Sequence, residues 1–589
     1  GFDNQGTILA EGGSALVIDV NAVGFANNGI LNAQGTGGLH ITGATVFANN
    51  TAIDIDAGSA LLVDGSSRIN GGLINLGAGV AADLRGTTLD GVTINGDVFS
   101  ANSISNTILN GLTLNGTWTL ASAGALTDLT FTGAQTIGGN ATIVMGDHTN
   151  NRIVNNNVVT TIGANTTIRG AGQLGANSGG FDNQGTILAE GGSALVIDVN
   201  AVGFANNGIL NAQGTGGLHI TGATVFANNT AIDIDAGSAL LVDGSSRING
   251  GLINLGAGVA ADLRGTTLDG VTINGDVFSA NSISNTILNG LTLNGTWTLA
   301  SAGALTDLAF TGAQTIGGNA TIVMSGHTNN RIVNNNTLTT IGANTTIRGA
   351  GQLGANTGGF ANEGTLIADS ATGALVINVN ALGFENRARV IVSGGAGLTS
   401  IDDFRQSAGE TTVDTEMRIN PGRLLRLEGG ELNGSGTIIG DVNNSGGSVN
   451  AGNSPGTLTI DGDYTQTPGG TLLVEIAGSA PGQFDVLAIT GAASLAGTIA
   501  VDLLGAPTFA VGQSFDVLIA ASIANNFANS SIDAGFATFD VLIIDGISED
   551  IVRLTATSVS AVPLPPAAWL FAAALVTLGV TRRSAGAAA

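Results

Sequence analysis

One recurring stretch limits what this chain can fold into more than any other feature. Gly1-Phe2-Asp3-Asn4-Gln5-Gly6-Thr7-Ile8-Leu9 returns as Gly180-Phe181-Asp182-Asn183-Gln184-Gly185-Thr186-Ile187-Leu188, a period of 180 − 1 = 179 residues. A third, degraded start, Gly359-Phe360-Ala361-Asn362-Glu363-Gly364-Thr365, falls one period later. The two full copies differ at six positions: Thr130/Ala309, Gly146/Ser325, Asp147/Gly326, Val158/Thr337, Val159/Leu338 and Ser178/Thr357. A unit copied end to end must accept its own surface as a neighbour, which points to a linear, stacking architecture.

A finer rhythm runs inside each unit. Phe2, Phe25 and Phe47 are 23 and 22 residues apart, and the last two head the parallel phrases Phe-Ala-Asn-Asn. Leu89-Asp90-Gly91-Val92-Thr93-Ile94-Asn95-Gly96 is echoed by Leu109-Asn110-Gly111-Leu112-Thr113-Leu114-Asn115-Gly116. Alternate apolar positions (Val92 and Ile94, Leu112 and Leu114) between Thr and Asn describe strands with one buried face. A turn of about 21 residues gives ~8–9 turns per unit and a rise of about 4.8 Å per turn. The expected fold is therefore all-β: an elongated parallel β-helix (solenoid) with a C-terminal β-module and one short C-terminal hydrophobic helix. An array of β-sandwiches is the alternative, because strand spacing separates the two folds weakly.

Composition agrees with this and removes several functions. Hydrophobic residues make up 43% of 589 against 10% charged, too apolar for a disordered chain. Gly is 93 and Pro 8 with no Gly-X-Y period, which excludes collagen. The net charge is −26 and all 17 basic residues are Arg, so nucleic acid is not an expected partner. The absence of Cys removes disulfides, thiolate metal sites and thiol nucleophiles together. The chain opens at Gly1 in mid-motif, read as N-terminally incomplete, so a signal peptide is not visible.

The expected organisation is residues 1–179 and 180–358 as solenoid units and 359–430 as a partial third repeat and transition. Residues 431–557 form the β-module and 558–589 the tail. Arg387, Arg389, Arg405, Arg418, Arg423 and Arg426 cluster in the transition. Interleaved Glu385, Asp402, Asp403, Glu410, Asp414, Glu416 and Glu428 argue against a basic binding patch there.

Two resemblances follow. Gly436-Thr437-Ile438, Asn453-Ser454-Pro455-Gly456-Thr457-Leu458, Tyr464-Thr465-Gln466 and Phe484-Asp485-Val486-Leu487 resemble the end region of bacterial autotransporter passengers, over about residues 430–505. The resemblance implies a module that closes the solenoid, whose open sheet edge would otherwise template aggregation. Phe515-Asp516-Val517-Leu518 and Phe539-Asp540-Val541-Leu542 repeat its strand phrase, extending the module to about Ala556.

The tail begins Val562-Pro563-Leu564-Pro565-Pro566, followed by an apolar segment that includes Ala567, Trp569, Leu570, Phe571, Leu575, Val576, Leu578 and Val580, then Arg582-Arg583. Its fourteen apolar-segment residues (567–580) are short of the ~20 that span a bilayer unaided. The Arg pair sets the C-terminus on the cytoplasmic side. The tail resembles the PEP-CTERM sorting signal in its Val-Pro-Leu-Pro-Ala form, departing from it at Pro566. The resemblance implies recognition by an exosortase, a membrane transpeptidase, with cleavage near the Pro motif. It also implies a Gram-negative bacterium that makes extracellular polysaccharide. A simple tail anchor is the plainer alternative. The residues after Ala556 are too few for an autotransporter barrel, so a different route to the surface is expected.

Many β-helix proteins cleave polysaccharides, which makes paired carboxylates and histidines the candidate catalytic residues. Asp54 and Asp56, repeated as Asp233 and Asp235, share a strand face at the i, i+2 spacing and suit glycoside hydrolysis. Flanked by Ile53 and Ile55, they also read as outward surface carboxylates. His40 and His148, with copies His219 and His327, stand isolated in sequence, and Asp147 beside His148 becomes Gly326 beside His327. Calcium-nonapeptide, EF-hand and phosphate-loop patterns are absent. Asn-rich turns such as Asn155-Asn156-Asn157 suggest side-chain ladders between turns, with weak calcium uptake left open. The sequence thus predicts no catalytic residue, cofactor or metal. It predicts an exported cell-surface or matrix protein of structural or adhesin-like type, with an exosortase and with extracellular polysaccharide or other cell-surface components as expected partners. A polysaccharide-active lyase or hydrolase is the alternative.

Overall fold

The computed structural model describes residues 1–560 except Ala22, Ala506 and Thr508. The described residues are all-β, without a helix, and form two compact units, Gly1–Gly383 and Phe384 onward. The expected C-terminal helix falls outside the described residues.

In the first unit each turn lays one strand on each of three faces. Phe2–Asn4, Thr7–Ala10 and Leu16–Asp19 make the first turn. The next turn pairs with it in parallel, Phe2 opposite Phe25, Ile8 opposite Leu31 and Ile18 opposite Ile41. Like residues therefore stack in columns: on the first face Phe2, Phe25, Phe47, Ile69, Leu89, Ile108 and Phe131 succeed one another. The Phe25 and Phe47 rings stack with centroids 4.9 Å apart, and Phe204 and Phe226 do so at 4.8 Å. Val92, Ile94, Leu112 and Leu114 point inward as their alternation requires. Each fully buried aliphatic side chain contributes roughly 1.5–3 kcal/mol, and no single turn encloses it alone.

Where turns are shortest the sheet bends without breaking. Ser105–Leu120 pairs with residues 88–95 on two faces and residues 98–100 on the third. Its corner lies at Asn110 (φ 54°) and Gly111 (φ 95°), the left-handed backbone that Asn and Gly adopt at least cost.

The repeat is not a whole number of turns. On the first face Phe2–Asn4 is followed through eight successive pairings to residues 172–174. The second copy then opens, one face further on: Phe181 lies opposite Thr160 on the second face and Leu195 opposite Gly172 on the first. The third start, Gly359–Asn362, pairs with Leu338–Ile341 on the third face. A period of 179 residues thus spans eight turns and one-third, within the expected eight to nine, and rotates each copy by about 120° relative to the last. The third copy also holds one extra residue, taken up in the loop 369–374, so that Leu353 still meets Ile377.

The second unit is built on the same plan, with Phe384, Phe404, Leu425, Val442, Tyr464 and Ala493 in one column. Parallel pairing ends where Leu487 meets Leu518 and Ala492 meets Ser522. Asp550–Val559 then lies antiparallel on Ser514–Ala520, and Ala537–Ile544 antiparallel on Asp550–Val559. Phe484, Phe509, Phe515 and Phe539 cluster beneath it, centroids 5.4–6.0 Å apart. The reversal gives the exposed edge of the last parallel strand a partner and roofs the core.

Candidate functional site

The acidic pairs lie on the outer side of their strands. Ile53 and Ile55 are buried, and Asp54 and Asp56 face outward. Asp54 Oδ1 accepts from Asn75 Nδ2 at 2.7 Å, Asn75 from Asn95 at 2.7 Å and Asn95 from Asn115 at 2.8 Å. Asp233, Asn254, Asn274 and Asn294 repeat the series. Asp54 and Asp233 each terminate a surface amide ladder, which engages one oxygen of each carboxylate. Asp235 accepts from Asn211 at 3.1 Å.

His40 is not isolated as its sequence context suggests. Its Nε2 lies 3.0 Å from Asp64 Oδ1 of the next turn, and His219 lies 3.0 Å from Asp243. Partial burial pushes the Asp64 carboxyl up, but hydrogen bonds from Thr42 and His40 and the charges of His40 and Arg85 outweigh it and leave it below its ordinary value. The 24-residue separation hides the pair from a linear reading. His148 Nδ1 accepts from the backbone N–H of Asn150 at 3.0 Å, and His327 does the same for Asn329 at 3.0 Å. Asp147 reaches the next copy, accepting from the Ser193 N–H at 2.7 Å. At the following joint, where Gly326 replaces it, Thr372 Oγ1 donates to the Gly326 carbonyl instead. Five of the six differences between copies fall within residues 146–178 and 325–357, the stretches that meet the next copy.

Every one of the fifteen arginines among the described residues is paired with a carboxylate. The transition cluster is the densest case. Arg405 bridges Glu385 and Glu428, both at 2.7 Å, and Arg426 holds Asp403 at 2.8 Å. In the solenoid Arg152 clasps Asp128 through two hydrogen bonds of 2.8 and 2.7 Å. No unpaired guanidinium is left among the described residues to receive a phosphate, sulfate or uronate.

The Asn-rich turn links turns through its side chains, as its composition suggests, by single bonds rather than a continuous ladder. Asn155 donates to Thr160 and to the Gly180 carbonyl, while Asn157 accepts from Asn200 at 2.8 Å. The interior ladder belongs to the Phe-Ala-Asn phrases instead, Asn4 to Asn27 to Asn49.

The Asn-Ser-Pro-Gly turn of the second unit is tied down by Asp485. One carboxylate oxygen accepts from the Gly456 N–H at 2.8 Å and the other from the Glu475 N–H at 2.8 Å. Asp485 is 1% exposed; burial and the nearby Glu475 charge push its pKa up to about 6 against those two bonds. The Tyr464 phenol, fully buried and donating to Gln466 at 2.8 Å, is likewise pushed up by burial.

Among the described residues no group of three or more His, Asp or Glu side chains is placed to hold a metal ion, and no helix is long and apolar enough to cross a membrane. The sorting residues Val562, Pro563, Leu564, Pro565 and Pro566, the apolar segment and Arg582-Arg583 lie outside the described residues. The class that the fold defines is the parallel β-solenoid. No known protein family and no curated protein matches the chain.

Proposed function

We propose that this chain is an exported structural or adhesin-like stalk of a Gram-negative cell surface or matrix, sorted by an exosortase through residues 562–583. The observation that carries the structural part is the joint between copies. The end of one unit receives the start of the next, with Thr160 opposite Phe181 and Leu338 opposite Gly359, so that copying the unit adds turns without a new interface. The one-third-turn offset distributes each surface motif around three faces rather than along one. That suits a spacer better than an array of sites aimed at one surface.

The enzyme alternative has little to draw on. Asp54 and Asp233 each end a side-chain ladder, Asp235 accepts from Asn211, and β-helical lyases generally use a basic residue, whereas each described arginine is paired with a carboxylate. Contact with extracellular polysaccharide would rest on the exposed Thr, Asn and Ser surface. Deleting residues 562–583 tests the sorting half: the protein is expected to be secreted and no longer retained, and unchanged localisation would sink it. Incubating the solenoid with matrix polysaccharide tests the rest, with no new reducing or unsaturated ends expected.

A further inference from the structure

The chain contains eleven Asn-Gly steps, five in each full copy and one at Asn433-Gly434. At such a step the side-chain amide is open to attack by the next backbone nitrogen, because glycine neither shields that nitrogen nor restricts the turn it must make. The fold sorts the steps by what it does with the glycine N–H. Gly71 donates to the Asp90 carbonyl at 2.8 Å, Gly96 to the Asn115 carbonyl at 3.0 Å and Gly111 to Gln135 Oε1 at 2.8 Å. Gly250, Gly275 and Gly290 repeat these bonds in the second copy. Gly116, Gly295 and Gly434 lie inside the strands Ser105–Leu120, Ser284–Leu299 and Glu431–Gly434, where pairing fixes the backbone.

Two steps remain, Asn28-Gly29 and Asn207-Gly208, each in a corner between two strands. The N–H groups beside Gly208 are held, Asn207 by the Asn183 carbonyl at 2.8 Å and Ile209 by the Gly185 carbonyl at 2.9 Å. The Gly208 N–H, like that of Gly29, meets no acceptor among the described residues. Glycine is required in this corner by a close approach, since a Cβ on Gly208 would collide with the Gly185 carbonyl. The Asn207 side chain is exposed and already oriented: Nδ2 donates to Asp182 Oδ1 at 2.6 Å, and Oδ1 accepts from Asn229 Nδ2 at 2.7 Å. Asn28 is held in the same way between Asp3 and Asn50. The Asn229 donor is aimed at the oxygen on which charge develops when Cγ is attacked.

We propose that Asn28 and Asn207 are sites of self-modification, converted to aspartate and isoaspartate ahead of every other Asn-Gly step. The Gly208 nitrogen bonds to Asn207 Cγ, the Cγ–Nδ2 bond breaks, and ammonia leaves with the proton that the glycine nitrogen gave up. Water then opens either carbonyl of the resulting succinimide. The new carboxylate faces Asp182 with no proton between them, and the isoaspartate form adds a carbon to the main chain of the corner. Both products open the ladder from Asn229 through residue 207 to Asp182. The inference depends neither on the sorting tail nor on any ligand.

The test holds the full chain in heavy-oxygen water at mildly alkaline pH and follows its peptides by mass spectrometry over time. Residues 25–34 and 204–213 share one sequence, so one peptide reports both sites, and fragmentation assigns the label within it. That peptide is expected to take up heavy oxygen at Asn28 and Asn207 before any peptide carrying the other nine steps. In the chain unfolded by urea the lead should vanish. No lead in the folded chain, or a lead that persists in urea, overturns the proposal. A second measurement uses Gln135→Ala together with Gln314→Ala, which frees the Gly111 and Gly290 N–H groups. Asn110 and Asn289 should then join the fast set while the shared peptide keeps its rate. If they stay slow, the free glycine N–H is not what selects the sites, and the proposal fails.

Discussion

Asn27 donates its side-chain amide to Asn49 of the next turn at 3.1 Å, and Asn206 does the same to Asn228 at 3.1 Å in the second copy. Both chains of amides run inside the solenoid: Asn27 and Asn206 are fully buried, and each also donates to a backbone carbonyl at 2.9 Å. Replacing Asn206 with Ala takes one hydrogen-bond partner from each of Asn183 and Asn228 and is expected to cost about 2–4 kcal/mol. Asn207, whose amide lies on the exposed side and meets Asp182, should cost well under 1 kcal/mol on the same change. Protease susceptibility of the strands around residue 206 measures the difference, and equal effects would refute an interior ladder.

Asp485 predicts a pH dependence with a definite sign. Its folded pKa of about 6 exceeds the ordinary aspartate value of 3.8, so the folded state holds the proton more tightly than the unfolded one. Its contribution is therefore fully present at low pH and is lost as pH rises through about 4 to 6, by up to about 3 kcal/mol. Asp64, Asp90 and Asp403 have the opposite tendency, since each is held below its ordinary value, and their contributions are lost below that window. Thermal unfolding of the second unit from pH 4 to 7 should fall in midpoint for the natural chain. Asp485→Asn should flatten that profile, at the expense of an accepted backbone hydrogen bond worth about 1 kcal/mol.

The paired arginines make a prediction about polyanions. With a net charge of −26 and each described guanidinium already bound to a carboxylate, the chain should show no retention of DNA or heparin near physiological salt. A mobility shift that vanished on Arg405→Gln would show that the Glu385–Arg405–Glu428 bridge opens to other anions.

The sequence carried the fold further than the contacts. Phe25 and Phe47 head aligned strands, and Val92 and Ile94 point inward, because period-2 patterning and a near-constant repeat are local properties. The reversal to antiparallel strands after Ala520 was legible only as a module that closes the end. What it lacked were relations set by turn length. Turns on the first face vary between Phe25 to Phe47 and Ile108 to Phe131, so the partner of His40 is Asp64 rather than a residue at a fixed spacing. The same variation leaves the repeat a third of a turn past a whole number, which no spacing of Phe residues discloses. Asp485 is hidden for another reason: it lies in a strand phrase resembling two others, and only burial beside Gly456 and Glu475 distinguishes it.

Removing one complete copy tests the joint between copies. Deletion of residues 180–358 brings Gly179 to Gly359, so that strands Val159–Ile162 and Gly359–Asn362 meet as Leu338–Ile341 and Gly359–Asn362 do now. Only joint residues change, chiefly Asp147 for Gly326 against the loop at Thr372. The shortened chain is expected to fold, with the solenoid of the first unit shorter by ~40 Å at about 4.8 Å per turn, as electron microscopy would measure. Deleting residues 180–351 instead removes seven residues fewer, about one face. It sets each strand of the third copy against the wrong column, moving Phe360 away from the position it holds opposite Thr339. Register in a half-buried strand is enforced by its apolar set, so this variant should aggregate or lose protease resistance near the joint. If both deletions behave alike, the one-third-turn phase is not what allows copies to be joined.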